Sequence, residues 1–318
     1  MSLWGRCGGA IDLSIAHRLG GVGQQGHGGL GVQTMPRAQV TPIDSVQREE
    51  LERICTRARR RILRMIHAAG SGHPGGSFSA IDIITVLYQR YLRFRPAEPQ
   101  WPARDRFVLS KGHGAPALYA ALFEAGYYDD EEVLLSLRKM GSPLQGHPVM
   151  GKLPGVEMTT GSLGQGFSAA VGMALGVRLD GLESRIFTLL GDGECDEGIV
   201  WEAAMAAAHY KLDNLVAVID HNRFQIDGPN ATIMDLGDLA AKFAAFGWAT
   251  TEIDGHDLDQ ICEALEWGIA LQGRPAMIVA HTKKGHGVSF MDDSNKFHGI
   301  APTDAELAVA LKELEGPE

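Results

Sequence analysis

Five short apolar runs, separated by stretches with helical periodicity, constrain this chain more than any other feature. They fall at Arg106–Leu109, Ile186–Leu190, Leu215–Asp220, Ala249–Ile253 and Met277–His281. Strands that alternate with helices build an α/β protein around a doubly wound parallel sheet, and such sheets bind ligands at the C-terminal ends of their strands. A chain of 318 residues with 45% apolar content can bury one substantial core, so one large domain is expected over residues 45–318.

Two of the predicted strand ends carry chemistry. Gly191-Asp192-Gly193 follows the second run, and Asp220-His221-Asn222 closes the third. The glycines let the backbone approach a diphosphate without side-chain obstruction. Asp192 and Asn222 offer a carboxylate and an amide oxygen to a hard cation, Mg²⁺ or in its place Ca²⁺ or Mn²⁺, which completes its shell with phosphate oxygens. A lone Gly-Asp-Gly turn is common. Its place between two strands, with an asparagine ending the second, marks it as a metal-diphosphate site.

Upstream, Leu51, Ile54, Cys55, Ala58, Ile62, Met65 and Ile66 recur at three- and four-residue steps, which predicts a helix capped by Ser45 and ended at Gly70. Arg57, Arg59, Arg60, Arg61 and Arg64 read as its solvated face. The loop Ser71–Gly76 then carries His73 before a second helix predicted over about 79–91. His113, His147 and His298 also lie beside glycine in loops. A single histidine is usually structural, but four near a diphosphate site form a set able to bind sugar hydroxyls and move protons near neutral pH. His286, in Lys283-Lys-Gly-His286-Gly, is a weaker candidate of the same kind.

The charge balance excludes several classes. With 29 basic and 39 acidic residues the net charge is −10, which argues against nucleic acid or an anionic membrane as partner. No apolar run reaches the roughly 20 residues a membrane span needs. Cys7, Cys55, Cys195 and Cys262 show neither paired nor zinc-type spacing, so the cytoplasm is the expected compartment. Cys195 reads as a small turn residue. Residues 1–44 are glycine-rich with little apolar periodicity and are expected to form a flexible extension. Within it, Gly21-Val-Gly23-Gln-Gln-Gly26 matches the dinucleotide fingerprint, but no strand precedes it and no βαβ unit surrounds it, so it is a decoy. Met35 is a second candidate start.

Four further segments complete a pattern: Ser71-Gly-His73-Pro-Gly-Gly; Leu109-Ser-Lys-Gly-His113-Gly; Gln145-Gly-His147-Pro with Thr159-Thr-Gly161-Ser-Leu163-Gly-Gln-Gly166; and Phe297-His298-Gly299. Together with Leu190-Gly-Asp-Gly-Glu-Cys-Asp-Glu197-Gly and Trp201-Glu202, they resemble the thiamine-diphosphate enzymes of the transketolase class over about residues 45–302. The resemblance implies thiamine diphosphate as cofactor, with a backbone carbonyl at Phe224 as third metal contact. It places His113 and His298 near the diphosphate and the reactive carbon, Gly161 and Leu163 against the thiamine moiety, and His73 and His147 on the donor sugar. Ser162 stands where many relatives have proline, and His221 is a second departure, while Asn222 is retained. Glu197 and Glu202 would lie at a subunit interface, linked to a partner's activating glutamate. Taken without the resemblance, they are acids near a solvated helix start.

In that family a pyrimidine-binding domain and a C-terminal domain follow the diphosphate-binding domain, and this sequence stops at Glu318 after the first. The expectation is therefore the N-terminal subunit of a split transketolase, inactive alone and completed in an (αβ)₂ assembly by a separate C-terminal subunit. The implied reaction is ketol transfer: the C2–C3 bond of a ketose phosphate breaks and the two-carbon fragment passes to an aldose, with the cofactor ring as electron sink. Two rivals are the alpha subunit of a 2-oxo acid dehydrogenase, against which the Ser-Gly-His-Pro-Gly and Ser-Lys-Gly-His segments count, and a non-catalytic binding protein of the same fold.

Overall fold

The computed structural model describes residues 43–315. The glycine-rich extension up to residue 42, with its Gly21–Gly26 run, Met35 and Cys7, lies outside the described residues. All five expected strands form: β1 (Arg106–Leu109), β2 (Ile186–Gly191) and β3 (Leu215–His221), then, after a two-residue antiparallel ribbon of β4 (Phe224–Gln225) and β5 (Gly228–Pro229), β6 (Ala249–Asp254) and β7 (Ala276–His281). The main sheet is wholly parallel in the order β1-β2-β3-β7-β6.

Successive strand residues point to opposite faces, and the two faces belong to two cores. Phe107, Leu109, Phe187, Leu189, Val216 and Val218 share one core with α1 (Ser45–Ala69), α2 (Pro74–Val86) and α3 (Ala115–Glu124). Val108, Ile186, Leu190, Leu215, Ala217 and Ile219 share the other with α4 (Gln165–Leu179), α5 (Gly198–His209) and α6 (Leu239–Ala245). The sheet is thus covered on both sides, as a doubly wound fold requires. Each fully buried Leu, Ile or Phe contributes roughly 1.5–3 kcal/mol, so these cores fix the strand ends on which the site is built.

Three local expectations change. The N-cap of α1 is Asp44, not Ser45: Asp44 is extended and its side chain accepts the Gln47 amide at 2.8 Å. The second helix starts at Pro74, not near 79, with Pro at its first turn and His73 at its N-cap position; Pro lacks the amide that the first turn leaves unpaired in any case. Its last turn, Leu87–Tyr91, is π-helical. The arginines of α1 are not all solvated. Arg59 is 6% exposed and donates to Asp82 at 2.6 Å, because it lies four residues after buried Cys55 and three before buried Ile62, on the core side of the helix.

Candidate active site

The parallel register sets the two expected metal ligands, Asp192 and Asn222, side by side. Gly191 at the end of β2 pairs with Asp220 on β3, and the Asp192 amide donates to the Asp220 carbonyl at 3.2 Å. Asp192, 1% exposed, accepts from the Arg223 amide at 2.5 Å and the Gly193 amide at 2.8 Å. Asn222, also buried, accepts from the Phe224 amide at 3.1 Å. Burial and the neighbouring Asp220 charge push the Asp192 carboxyl up to about 6. No ion pair reaches it among the described residues, so it is a buried carboxylate in want of a cation. That need, the oxygen donors of Asp192 and Asn222, and the glycines on either side fit a divalent ion with a diphosphate.

Next to Asp192 and Asn222 lies a fully compensated ion pair that sequence reasoning misses. Lys111 and Asp220 are both completely buried and bond to each other. Lys111 also donates to the Gly76 carbonyl at 2.9 Å, and Asp220 accepts from Ser79 at 2.6 Å and from Thr282. Burial alone would raise the Asp220 carboxyl, but Lys111 and the two hydroxyls hold it below its usual range. Segments from β1, β3, α2 and the loop after β7 are thereby tied together under the site.

Three histidines converge beside it. The rings of His73, His113 and His298 lie 5.2–5.6 Å apart, centre to centre. Burial is the first cause that lowers all three, followed by cations: Arg138 for His73, Lys111 for His113 and Lys284 for His298. His73 is held at about 4 and His298 at about 3, so both are neutral at pH 7. Lys284, only 1% exposed, lies 2.6 Å from His298 Nδ1 and 2.7 Å from Asn295 Oδ1, and burial lowers its ammonium to about 8. A protonated Lys284 can only donate, so His298 accepts at Nδ1 and carries its proton on Nε2.

The fourth histidine arrives with the 159–166 turn. Gly161, at φ +146°, favours glycine by its backbone and leaves little space for a side chain: a Cβ there would sit 3.1 Å from the His147 ring. On the other side, a Cβ on Gly112 would meet the Gly161 amide at 2.7 Å, so the His113 loop and this turn pack backbone to backbone. Leu163 is half-buried on the same turn. The turn is held by Glu194, which accepts from the Gly164 amide at 2.7 Å, the Gly191 amide at 2.9 Å and the Ser110 hydroxyl. Sequence reasoning misses Glu194 although it lies within the motif after Asp192, because its partners come from three separate segments.

Glu197 and Glu202 are brought to neither group. Glu197 caps the start of α5, Glu202 lies within it, and both side chains are exposed, with no side-chain hydrogen bond or ion pair among the described residues. Cys195 is buried against the Gly191 carbonyl, and burial pushes its thiol well up, in line with a turn residue. His286 joins a different group, stacked on His256 at 3.7 Å, away from the three-histidine cluster.

This fold and site define the thiamine-diphosphate-binding class of α/β domains. The model of the transketolase thiamine diphosphate binding domain matches residues 52–316, and the chain belongs to the transketolase family. It is 46% identical over 271 residues to the 6-deoxy-6-sulfo-D-fructose transketolase subunit SqwG of Clostridium sp. (strain MSTE9), covering 85% of this chain and 98% of that protein. It is 40% identical over 269 residues to an apulose-4-phosphate transketolase subunit of Phocaeicola vulgatus, covering 85% and 95% respectively. Among solved structures, the transketolase of Campylobacter jejuni superposes with a TM-score of 0.80 at 33% identity, over 84% of this chain and 43% of that one. The chain thus spans less than half of that solved transketolase but nearly all of the two subunits. The 2-oxo acid dehydrogenase alternative is not favoured by these matches. No helix among the described residues is long and apolar enough to cross a membrane.

Proposed function

We propose that this chain is the N-terminal, diphosphate-binding subunit of a cytoplasmic transketolase that moves a two-carbon ketol unit from an anionic ketose to an aldose. Residues 45–318 form its diphosphate-binding domain, and a separate subunit with a pyrimidine-binding domain completes an (αβ)₂ heterotetramer. The observation that carries the reading is the buried, uncompensated Asp192 beside Asn222, with the histidine cluster reached through Lys111 and Lys284. Near-complete alignment with two proteins named as transketolase subunits supports the split organisation. Their names specify a sulfonated and a phosphorylated sugar, which supports an anionic substrate here.

Asp192, Asn222 and the Phe224 carbonyl hold Mg²⁺, or Ca²⁺ or Mn²⁺, and the bare Gly191 and Gly193 backbone leaves room for the diphosphate. His113, Lys284 and the Nε2–H of His298 donate to diphosphate or substrate oxygens. Gly161 and Leu163 border the thiamine moiety. Thiamine diphosphate, when bound, supplies the electron sink for cleavage of a carbon–carbon bond next to a carbonyl. His73 and His147, neutral at pH 7, orient the sugar hydroxyls and can take up a hydroxyl proton as the bond breaks. Glu197 and Glu202, exposed on α5, meet the partner subunit.

The test is ketol transfer with thiamine diphosphate and Mg²⁺, using xylulose 5-phosphate, apulose 4-phosphate or 6-deoxy-6-sulfofructose as donor and an aldose as acceptor. The chain is assayed alone and co-produced with the product of the neighbouring reading frame. Turnover only in the pair is expected. Turnover by the isolated chain would refute the split site.

A further inference from the structure

The loop that follows β7 is anchored on each side of Lys284, the lysine that meets His298. After it, the Gly285 amide donates to the Gly75 carbonyl at 3.0 Å. Before it, the Lys283 amide donates to Nε2 of His256 at 2.9 Å. His256 reaches this loop from the turn after β6, which runs close against it: a Cβ on Gly255 would stand 2.5 Å from Thr282 Cγ2. The Asp254 carboxylate takes the His256 amide at 2.9 Å, so the turn that carries the ring is itself closed. A backbone amide can only donate, so His256 accepts at Nε2 and carries its proton on Nδ1. That nitrogen lies 2.8 Å from Asp82 Oδ2, and Arg59 donates to the same oxygen at 2.6 Å. Burial alone would raise the Asp82 carboxyl, but Arg59 and the His256 bond hold it below its usual range, so the imidazole faces a carboxylate at neutral pH.

Asp82, His256 and His286 bring one ligand-type atom each within 4.8 Å of one another, the spacing of a metal site. Two features turn the group to another use. The rings of His256 and His286 stack at 3.7 Å and 18°, so their in-plane lone pairs run nearly parallel and do not converge on one ion. Arg59 already supplies the cation at the carboxylate, and both nitrogens of His256 are engaged. The group therefore acts as a strut from α1 and α2, through Arg59 and Asp82, to the backbone amide that precedes Lys284. Lys284 is 1% exposed, and its ammonium sits 2.6 Å from His298 Nδ1 and 2.7 Å from Asn295 Oδ1. A buried side chain held this closely moves with its own backbone, so a shift of the 283–284 peptide draws Nζ away from His298. His298 then loses the donor that fixes its proton on Nε2.

We propose that His256 is a positioning residue: its Nε2 fixes the Lys283 amide, which holds Lys284 on His298 Nδ1 and leaves His298 with an Nε2–H to present to cofactor or substrate. The inference rests on the transketolase reading above and deepens it, because it ties the protonation state of a histidine in the site to a ring that touches no ligand.

The experiment compares wild type, His256→Phe and His256→Gln. Phenylalanine keeps a ring to stack on His286 but offers the Lys283 amide no acceptor, whereas the glutamine carbonyl can take that amide. In both variants Arg59 still neutralises Asp82, so no buried charge is stranded. The first readout is the tautomer of His298 in the full chain, from two-bond proton–nitrogen spectra of the labelled histidines, with the His298 signals assigned by their loss in His298→Asn. Wild type and His256→Gln should show the proton on Nε2 alone, and His256→Phe a mixture of the two tautomers. The second readout is kcat/KM for ketol transfer in the complete two-subunit enzyme. It should fall about 10- to 100-fold in His256→Phe, as small misplacements in an active site do, and stay within about threefold of wild type in His256→Gln. An unchanged His298 tautomer in His256→Phe, even with a lower melting temperature, gives His256 a structural role alone and overturns the inference while leaving the transketolase reading intact. A wild-type pair that transfers no ketol unit from any of the three donors named above refutes that reading and the inference with it.

Discussion

The carboxylate of Glu194 accepts the backbone amide of Gly164 at 2.7 Å, thirty residues away in sequence and on the opposite wall of the cofactor turn. The same buried side chain takes the Gly191 amide and the Ser110 hydroxyl, so one residue joins three loops that are separate in sequence. Glu194→Gln keeps the volume but turns a donor toward these donors. Each donor left without an acceptor costs about 1–3 kcal/mol. The expected result is a lower melting temperature and weaker thiamine diphosphate binding, followed by tryptophan fluorescence, with faster amide exchange at Gly164 and Gly191 in the free chain. Unaltered exchange at both amides would show that the clamp does not hold the turn.

Arg59 and Asp82 make a second buried pair, shared with His256 Nδ1 at 2.8 Å from the same carboxylate. Removing only the arginine strands a carboxylate in the core, and breaking such a pair costs about 3–5 kcal/mol. Arg59→Met should lower stability by that amount in urea melts, and Arg59→Met with Asp82→Leu should recover most of it. Equal losses in the single and double variants would mean that packing, not charge, governs the site.

The strands are legible in the sequence because each run is buried on both faces and ends at a turn, as Ile186–Gly191 and Leu215–His221 illustrate. His73, His113 and His298 are legible as a set because each stands beside glycine in a loop, and the sheet gathers those loops at one edge. What escapes depends on partners far along the chain. Arg59 looks solvated until Asp82 and the His286 carbonyl are packed against it. Lys111 and Lys284 stand within the Ser-Lys-Gly-His and Lys-Lys-Gly-His segments, so their neighbourhood is a signal, but their burial is a tertiary property. The start of α2 reads too late because Gly75 and Gly76 look like loop. A side chain at Gly75 would in fact meet Lys284 Cγ at 2.9 Å, so the helix needs glycine for close packing.

Cation binding should carry the signature of Asp192. Its carboxyl stands at about 6, raised first by burial and then by Asp220, so below that pH a divalent ion must displace a proton. Affinity for Mg²⁺ or Mn²⁺ should therefore rise about tenfold per pH unit up to about 6 and level off above it. Titration calorimetry with thiamine diphosphate present, from pH 5 to 8, measures this. Asp192→Asn should abolish the slope along with most of the affinity. A pH-independent affinity in the wild-type protein between 5 and 7 would remove Asp192 as a ligand.

Stability should also depend on pH through the buried imidazoles. His73 and His286 are lowered to about 4 and His298 to about 3, each first by burial, whereas unfolded histidine titrates near 6.5. Between these values the unfolded chain takes up protons that the folded chain refuses. The contribution to stability is therefore complete above about 6.5 and is lost as pH falls toward 4. Asp192 works the other way between 3.8 and about 6, since its folded carboxyl holds a proton there that the unfolded one releases. The comparison is thus between proteins, by urea melts of wild type and His73→Asn/His298→Asn from pH 7.5 to 4.5. The double variant should lose stability less steeply, because two of the refusing groups are gone. Above pH 8 Lys284 acts in the same direction as the histidines: lowered to about 8, it sheds its proton in the fold before it would in the unfolded chain, so its contribution rises with pH up to about 10.5. A wild-type slope identical to that of the double variant between pH 6.5 and 4.5 would mean that the histidine cluster opens to water before the chain unfolds.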